Sequence, residues 1–223
     1  MKHKPISTIG IDEVGRGAWA GPMVICAART TPAIESLFTP SNRPKCTLWT
    51  YQDIRITDSK QLTPDRRAVA HNWLIAHLNY SLIEVSVDQI NNLGLRSAWE
   101  WGIHTVSRHF LVDTGSCQDS NTVIIDGNWL VPGVIAQAIP KADAHYFAVA
   151  AASIIAKHHR DTLMQTLHIQ FPHYAWNTNV GYGTQAHQSA IIHHGTCKHH
   201  RTLWVENWIK KQSQMDLFQK YET

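Results

Sequence analysis

The chain has 223 residues, of which 43% are hydrophobic and 17% are charged. This length predicts one large domain or one domain with a short appendage, with a core that needs no disulfide or structural zinc. The low charged fraction argues against a disordered or coiled-coil chain. The formal net charge of +3 permits a polyanionic partner without establishing one.

Cysteine usage and hydropathy exclude further classes of protein. The four cysteines are scattered without a Cys-x-x-Cys pair, which indicates reduced thiols. The N-terminal residues lack the apolar stretch of a signal peptide. The longest apolar run, residues 147–156, is far shorter than the roughly 20 residues that span a bilayer. We therefore expect a cytoplasmic, monomeric protein that does not contact a membrane.

The first half of the chain alternates between strand and helix patterns. Thr63 followed by Pro64 is a helix start signal, and Ala70, Leu74 and Leu78 then recur at helical spacing. The predicted elements are strands over residues 6–11 and 23–28, an irregular loop over 32–51, a helix over 64–79 and a strand over 82–87.

The second half continues the alternation. Asp88 is predicted to cap a helix through the 90s and 100s, and Asp126 and Asp143 flank the elements that follow. The remaining predictions are strands over 122–125 and 134–139, a long helix after Asp143, a turn over 181–184, a helix from Gln185, and one or two amphipathic helices over 203–223. Strands that alternate with helices predict an α/β layer fold.

Carboxylates occur at three places where strands end or a helix starts: Asp12 with Glu13, Asp126, and Asp143. In α/β sheets ligands gather at the carboxyl ends of strands, so these side chains can converge. Hard cations such as Mg²⁺ prefer oxygen ligands, and a pair of ions about 4 Å apart supports phosphodiester cleavage. The spacing makes a metal site plausible but not specific.

Local structural roles compete with the metal reading at two of these positions. Asp143 could cap the helix that follows it, and Asp126 before Gly127 could form an Asx turn. Asp12 and Glu13 are harder to explain in this way, because two adjacent acids after an apolar strand are costly if they are buried unpaired.

Several motifs in order resemble the ribonuclease HII family. The strongest is IGIDEVGRGAWAGP at residues 9–22, which is similar to the family's Asp-Glu and Gly-Arg-Gly signature. The other matching segments are DSKQL at 58–62, residues 87–93, IIDGN at 124–128, KADAHYFAVAAASIIAK at 141–157, GYGT at 181–184 and HRT at 200–202. The resemblance covers residues 6–205.

The resemblance implies a ribonuclease H-like α/β fold, with a mixed central sheet, flanking helices and a small helical C-terminal segment. It implies a catalytic domain over 1–200 and a helical segment over 201–223. It also implies an endonuclease that hydrolyses RNA in RNA–DNA hybrids and nicks duplex DNA 5′ of embedded ribonucleotides, leaving a 3′-hydroxyl and a 5′-phosphate. Two Mg²⁺ or Mn²⁺ ions would be bound by the catalytic carboxylates Asp12, Glu13, Asp126 and Asp143.

The resemblance also implies a set of substrate contacts. The backbone of Gly15, Arg16 and Gly17 would approach the 2′-hydroxyl, which distinguishes RNA from DNA. Tyr182 would pack against the sugar next to the ribonucleotide, although a partly buried core tyrosine is the alternative. The predicted phosphate contacts are Ser59, Lys60, Lys157 and Arg201.

Some features depart from the family pattern or compete with it. Ala18 and Trp19 replace the usual Pro-Leu, and the segment over 35–54 is longer than the family leads us to expect. Histidines and a cysteine over 193–200 suggest zinc, but their spacing fits no familiar finger, so a surface histidine cluster is favoured. Two other functions stay open: a different two-metal nuclease of this fold, such as a resolvase, and a catalytically silent hybrid-binding protein.

Overall fold

A computed structural model of the protein describes residues 7–112 and 122–221, with side chains described up to residue 110 and over 122–211. The strands are β1 Thr8–Val14, β2 Met23–Thr30, β3 Thr39–Asn42, β4 Thr47–Tyr51, β5 Ile54–Ile56, β6 Asn79–Val85, β7 Thr122–Asp126 and β8 Gln137–Ile139. The helices are α1 Pro32–Glu35, α2 Pro64–His77, α3 Val87–Leu93, α4 Leu95–Val112, α5 Phe147–Gln170, α6 Trp176–Asn179, α7 Gln185–His194 and α8 Thr202–Tyr221, with 3-10 turns at Ser59–Gln61, Ala142–Ala144 and Pro172–Tyr174.

The chain divides into two compact units. Of the described residues, the first unit contains 7–14, 24–84, 99–112 and 122–160, and the second contains 15–23, 85–98 and 161–221. The predicted division into residues 1–200 and 201–223 stays a prediction. In the part of the chain that the structure describes, no helix is long and apolar enough to cross a membrane.

The first unit contains a mixed five-stranded sheet in the order β6-β2-β1-β7-β8. This sheet and the helices around it confirm the predicted α/β fold class. Strand β1 is antiparallel to β2 and parallel to β7, and β7 is parallel to β8. Buried residues of β2, α2 and the first half of α5 form the core beside this sheet, among them Cys26, Leu74 and Phe147.

Gly10 lets helix α5 approach the sheet closely. A Cβ on Gly10 would lie 2.2 Å from the carbonyl carbon of Ala148, which is a backbone atom that cannot move aside alone. Because Ile9 and Ile11 on either side are buried, the strand is fixed in register where this contact occurs. The close approach brings the start of α5 against β1, directly before Asp12.

The prediction of an irregular loop over 32–51 is wrong. The segment contains α1, and strands β3 and β4 form a second, three-stranded antiparallel sheet with β5. Pro40 is compatible with β3 because that strand is at the edge of the sheet, where a missing N–H costs little. Leu48 and Trp49 of β4 are buried, so burial of β4 outweighs the loop-like composition around it.

The remaining differences concern element ends. Helix α2 ends at His77 and β6 runs over 79–85, so the predicted strand over 82–87 begins earlier and ends before Val87. The helix that follows is capped by Ser86, not Asp88, because Ser86 and Gln89 form a reciprocal capping box. Gly94 separates α3 from α4, and β8 is shorter than the predicted 134–139. Ile6, predicted to begin β1, lies outside the described residues.

Candidate active site

Strands β1 and β7 bring the first three predicted carboxylates to one end of the sheet. Their parallel register runs as far as Ile11 opposite Ile125, so Asp12 and Asp126 are the next residues on the two neighbouring strands. Glu13 follows Asp12 within β1. This placement agrees with the expectation that carboxylates after parallel strands lie at the same edge of the sheet.

Asp126 and Asp143 are linked through the backbone before α5. Asp126 Oδ1 accepts a hydrogen bond from the Ala142 N–H at 2.7 Å, so its carboxylate makes a long-range contact and not an Asx turn. Asp143 lies inside the 3-10 turn Ala142–Ala144, four residues before α5 begins, and is only 8% exposed. It therefore does not cap α5, and the two local alternatives raised by the sequence are wrong.

Asp12 is the most buried of the four acids, at 6% exposure. Burial is the main cause that raises its pKa well above the usual value, and the charges of Glu13, Asp126 and Asp143 raise it further. A hydrogen bond from Ser153 acts in the opposite direction. The four carboxylates thus lie close enough to repel one another, which is costly unless cations or protons compensate.

The pKa of Asp143 is also affected by burial and by neighbouring carboxylates. Burial, Asp58 and Asp126 raise its pKa to about 6, whereas Lys60 and the Ala144 N–H lower it. Lys60 is therefore placed where its positive charge acts on the acidic cluster. Cys26, the partner of Asp12 on β2, has its thiol pKa raised by burial and then by Asp12, so this thiol is not a reactive nucleophile.

Two side chains that the sequence did not single out as functional orient the acids. Trp99 of α4 is fully buried, and its indole Nε1–H donates to Glu13 Oε2 at 3.1 Å. The Glu13 N–H donates to Asp12 Oδ1 at 2.7 Å. Ser153 interrupts the apolar stripe of α5, and that interruption was the available signal for it. No sequence signal pointed to a role for Trp99, because a tryptophan on the apolar face of a helix looks like any core residue.

The segment Asp58–Gln61 lies next to this cluster. Asp58 caps the 3-10 turn by accepting from the Lys60 N–H at 2.9 Å. The Ser59 side chain is buried, and its hydroxyl shares a hydrogen bond with that of Ser153 at an oxygen–oxygen distance of 3.0 Å. Lys60 is exposed, and Lys157 lies half-buried on α5, one turn after Ser153. Of the predicted phosphate contacts, Lys60 is thus the freely presented one.

The second unit holds the Gly15–Gly17 loop, and Arg201 fixes its shape. Arg201 is fully buried; its Nη1 donates to the Arg16 carbonyl at 2.8 Å, and its Nε and Nη2 donate to the Gly21 carbonyl. Gly15 has a φ of +86°, which favours glycine, and a Cβ on Gly17 would meet open space. This geometry favours a supporting role for Arg201 over contact with a phosphate.

Tyr182 lies in the second unit at the tip of a turn in which both flanking glycines are sterically required. A Cβ on Gly181 would lie 2.4 Å from the Ala20 carbonyl oxygen, and one on Gly183 would lie 2.3 Å from the Trp19 ring. Tyr182 as a whole residue is 38% exposed. The Tyr182 backbone carbonyl accepts a hydrogen bond from His187 Nδ1 at 2.9 Å, so the His187 side chain stabilises the turn.

The histidines over 193–200 divide into two groups. His193 and His194 are exposed, as a surface cluster requires, but His200 is only 2% exposed, so the expectation of a surface cluster is wrong for this residue. Its Nδ1 accepts from the Cys197 N–H at 3.0 Å. Among the side chains described, over 7–110 and 122–211, no group of three or more Asp, Glu, His or Cys residues is arranged to hold a metal ion, so the structure adds no support for zinc at these histidines.

The same finding applies to the carboxylates: in the described part of the chain, no three of them are arranged as a ready-made metal site. Their chemistry nevertheless fits a hard divalent cation, because all donors are oxygens and the buried acids repel one another. Such a cation usually completes its shell with water and substrate phosphates, so an open arrangement is compatible with binding.

Comparison with known proteins adds an independent result. Residues 9–210 match the family model described as Ribonuclease HII. A ribonuclease HII from Ehrlichia ruminantium (strain Welgevonden) is 38% identical over 205 residues, covering 91% of this chain and 87% of that protein. One from Campylobacter jejuni (serotype O:6) is 35% identical over 196 residues, covering 88% and 89%.

Solved structures show the same fold. The ribonuclease H2 from Pyrococcus horikoshii OT3 superimposes with a TM-score of 0.65 at 25% identity, covering 93% of this chain and 98% of that one. RNase HII in a PCNA complex from Archaeoglobus fulgidus has a TM-score of 0.65 at 19% identity, covering 88% and 93%. Bst-RNase HIII in complex with Mn²⁺ has a TM-score of 0.58 at 19% identity, covering 87% and 64%.

Proposed function

The chain belongs to the ribonuclease HII family of endonucleases, which act on RNA in RNA–DNA hybrids, and we propose that it also nicks duplex DNA 5′ of single embedded ribonucleotides. The products would be a 3′-hydroxyl and a 5′-phosphate. The observation that carries this proposal is the acidic cluster of the first unit, in which the buried Asp12 lies within the field of three other carboxylates.

Divalent cations would be held by Asp12, Glu13, Asp126 and Asp143. Burial is the first cause of the raised pKa of Asp12 and mutual repulsion is the second, and cation binding there would relieve that repulsion. Two Mg²⁺ or Mn²⁺ ions would supply activation of the attacking water and neutralisation of the leaving 3′-oxygen. The Mn²⁺ complex of a related RNase HIII supports the choice of metal class.

The protein's own contribution is to hold these oxygens in place before substrate binds. Trp99 fixes one oxygen of Glu13, and the Ala142 N–H fixes one oxygen of Asp126. Asp12 is held by the Glu13 N–H and by Ser153. Glu13, Asp126 and Asp12 are therefore each restrained by a donor from another part of the chain, which limits the reorganisation that catalysis would require.

Recognition of the ribonucleotide would involve Gly15, Arg16, Gly17 and Tyr182. The open space at Gly17 admits a ligand close to the backbone, and the exposed Tyr182 ring offers a flat surface to a sugar. Ser59, Lys60 and Lys157 would contact phosphates, with Lys60 the exposed cation of the three. Arg201 would act indirectly, by holding the carbonyl of Arg16.

A nicking assay tests the proposal. Duplex DNA with one ribonucleotide should be cut on its 5′ side when Mg²⁺ or Mn²⁺ is present and should stay intact in EDTA. An Asp12→Asn variant should bind this duplex and fail to cut it. Intact substrate after prolonged incubation of the wild type with either metal would contradict the nicking proposal, and binding without cleavage would indicate a silent hybrid-binding protein.

A further inference from the structure

A basic cavity in the first unit has no assigned role. Its volume is about 310 Å³, and four cationic side chains line it: Arg43, Lys45, Arg55 and Arg66. No carboxylate contributes to its wall. The floor is formed by the buried side chains of Cys46, Leu48, Thr57 and Leu62.

The three-stranded sheet β3-β4-β5 builds most of this cavity. The turn between β3 and β4 carries Arg43 and Lys45 on either side of Pro44, and it is closed by a hydrogen bond from the Arg43 N–H to the Cys46 carbonyl at 2.9 Å. Arg55 comes from β5, and Arg66 from the first turn of α2. Most of the cavity is thus formed by this three-stranded sheet and by the turn between its first two strands.

The described side chains do not balance the charges around the cavity. In the described ranges 7–112 and 122–221, none of the four cations has a carboxylate within ion-pair distance. Like charges that surround one cavity repel, and an anion placed between them relieves that repulsion. Three of the four are arginines, whose planar forks match the oxygens of a phosphate group.

We propose that this cavity is a second phosphate-binding site, and that its ligand is the phosphodiester backbone of the substrate duplex beyond the nucleotide that is cleaved. The proposal rests on the duplex substrate proposed above. Under this proposal, the protein contacts a longer stretch of the duplex, and the β3-β4-β5 sheet binds one of the duplex arms beside the cleavage site.

Continuity with the acidic cluster favours a bound duplex over a free phosphate compound. Thr57 and Gln61 line the cavity, and Ser59 and Lys60 lie between them in the chain. Ser59 contacts Ser153, and Ser153 hydrogen bonds to Asp12. The segment over 57–61 therefore borders the cavity and also contacts the residues around the carboxylates, so one strand could contact both.

The test uses a charge-reversal pair on the exposed turn, Arg43→Glu with Lys45→Glu. A matched control, Arg108→Glu with Lys210→Glu, changes two exposed cations elsewhere and lowers the net charge equally. Both variants should keep the thermal unfolding midpoint of the wild type, because all four side chains are at the surface. Nicking is measured on two duplexes with one ribonucleotide each, one with short arms and one with long arms.

The turn variant should lose roughly tenfold in kcat/KM on the long duplex and should match the wild type on the short one. Its binding to a plain DNA duplex of the longer length should show a salt slope, log Kd against log salt, that is smaller by about 2. The control variant should follow the wild type in arm-length dependence. An equal loss on both duplexes, or no loss on either, would overturn the proposal.

Two further outcomes separate the possible failures. If the wild type cuts neither duplex, the proposed nicking activity fails, and binding of the plain duplex still reports on the cavity. Calorimetry with inorganic pyrophosphate tests the other source of phosphate. If pyrophosphate binds the wild type but not the turn variant while duplex binding is the same for both, the ligand is a small phosphate compound and the assignment to nucleic acid is overturned.

Discussion

His187 and His200 share a hydrogen bond between their Nε2 atoms, 3.2 Å apart, and the Tyr182 carbonyl sets the neutral tautomer of His187. His187 Nδ1 faces the Tyr182 carbonyl, which only accepts, so this nitrogen carries the proton. His187 Nε2 then accepts from the Trp176 indole and from His200. His200 Nδ1 in turn accepts from the Cys197 N–H. A chain of neutral hydrogen bonds thus extends from Cys197 to the backbone of Tyr182.

Replacing His187 by alanine should destabilise the protein by about 2–4 kcal/mol, because the buried Trp176 N–H and His200 N–H would lose their acceptor and a cavity would remain. Urea denaturation of wild type and variant measures the difference in the free energy of unfolding. His193→Ala is the control, because His193 is exposed and should cost less than about 0.5 kcal/mol. An equal loss of unfolding free energy in the two variants would contradict the buried hydrogen-bond chain through His187.

Lowering the pH should reduce the free energy of unfolding through the protonation of His200. Burial, and next the proximity of His187, lowers the pKa of His200 from 6.5 to about 4 in the folded state. The unfolded chain therefore binds the proton more readily, so this contribution to stability is complete above pH 6.5 and is lost as the pH falls towards 4. The loss amounts to about 3 kcal/mol at most.

The titration of Asp143 makes the stability of the protein depend on pH in the opposite direction. Its pKa is raised to about 6, so its contribution is present below 3.8 and is lost as the pH rises through 6. For this reason the measurement is the difference in unfolding free energy between wild type and His200→Gln at each pH from 4 to 7. The advantage of the wild type should shrink as the pH falls. A difference that is constant over this range would contradict the assignment to His200.

The acidic cluster was predictable from sequence because the two features that define it are local. Asp12 and Glu13 end an apolar strand, and Asp126 ends another. The contacts that orient these acids are not local: Trp99 reaches Glu13 across 86 positions, and Ala142 reaches Asp126 across 16. No periodicity in the sequence reports a contact of that kind, so Trp99 was indistinguishable from a core residue.

The second sheet was missed for a different physical reason. Pro40 and Pro44 and the polar residues around them favour a loop on local chemistry. The hairpin forms because Leu48 and Trp49 of β4 are buried and because Thr57 Oγ1 donates to the Thr47 carbonyl at 2.9 Å. Tertiary burial overrode local preference here, and the basic cavity depends on that outcome.

Trp99→Phe isolates the indole N–H that orients Glu13. The ring volume is largely kept, so the fold should persist, but one Glu13 oxygen loses its donor at 3.1 Å. We expect about a tenfold fall in nicking activity and a higher Mg²⁺ concentration for half-maximal rate. Trp101→Phe on the same helix is the control, because Trp101 is 39% exposed and has no bond to the acids. A metal titration curve identical to that of the wild type would remove the positioning role of Trp99.

Gly10→Ala and Gly17→Ala make the same chemical change with opposite expected consequences. At Gly10 the new methyl group would meet the Ala148 backbone at 2.2 Å, so β1 and α5 must separate, at a cost of at least about 2–3 kcal/mol in unfolding free energy. At Gly17 nothing lies within 4 Å, so stability should stay within about 0.5 kcal/mol of the wild type.

Activity distinguishes the two glycines in the other direction. If the backbone at Gly17 approaches the 2′-hydroxyl, the methyl group of Gly17→Ala occupies the space that the sugar needs, and kcat/KM on a duplex with one ribonucleotide should fall about tenfold or more. Binding to plain DNA duplex, which has no 2′-hydroxyl to accommodate at that site, should change much less. A stable Gly17→Ala protein that nicks at the wild-type rate would show that this loop does not read the ribose, whereas a stable Gly10→Ala protein would contradict the close packing of β1 against α5.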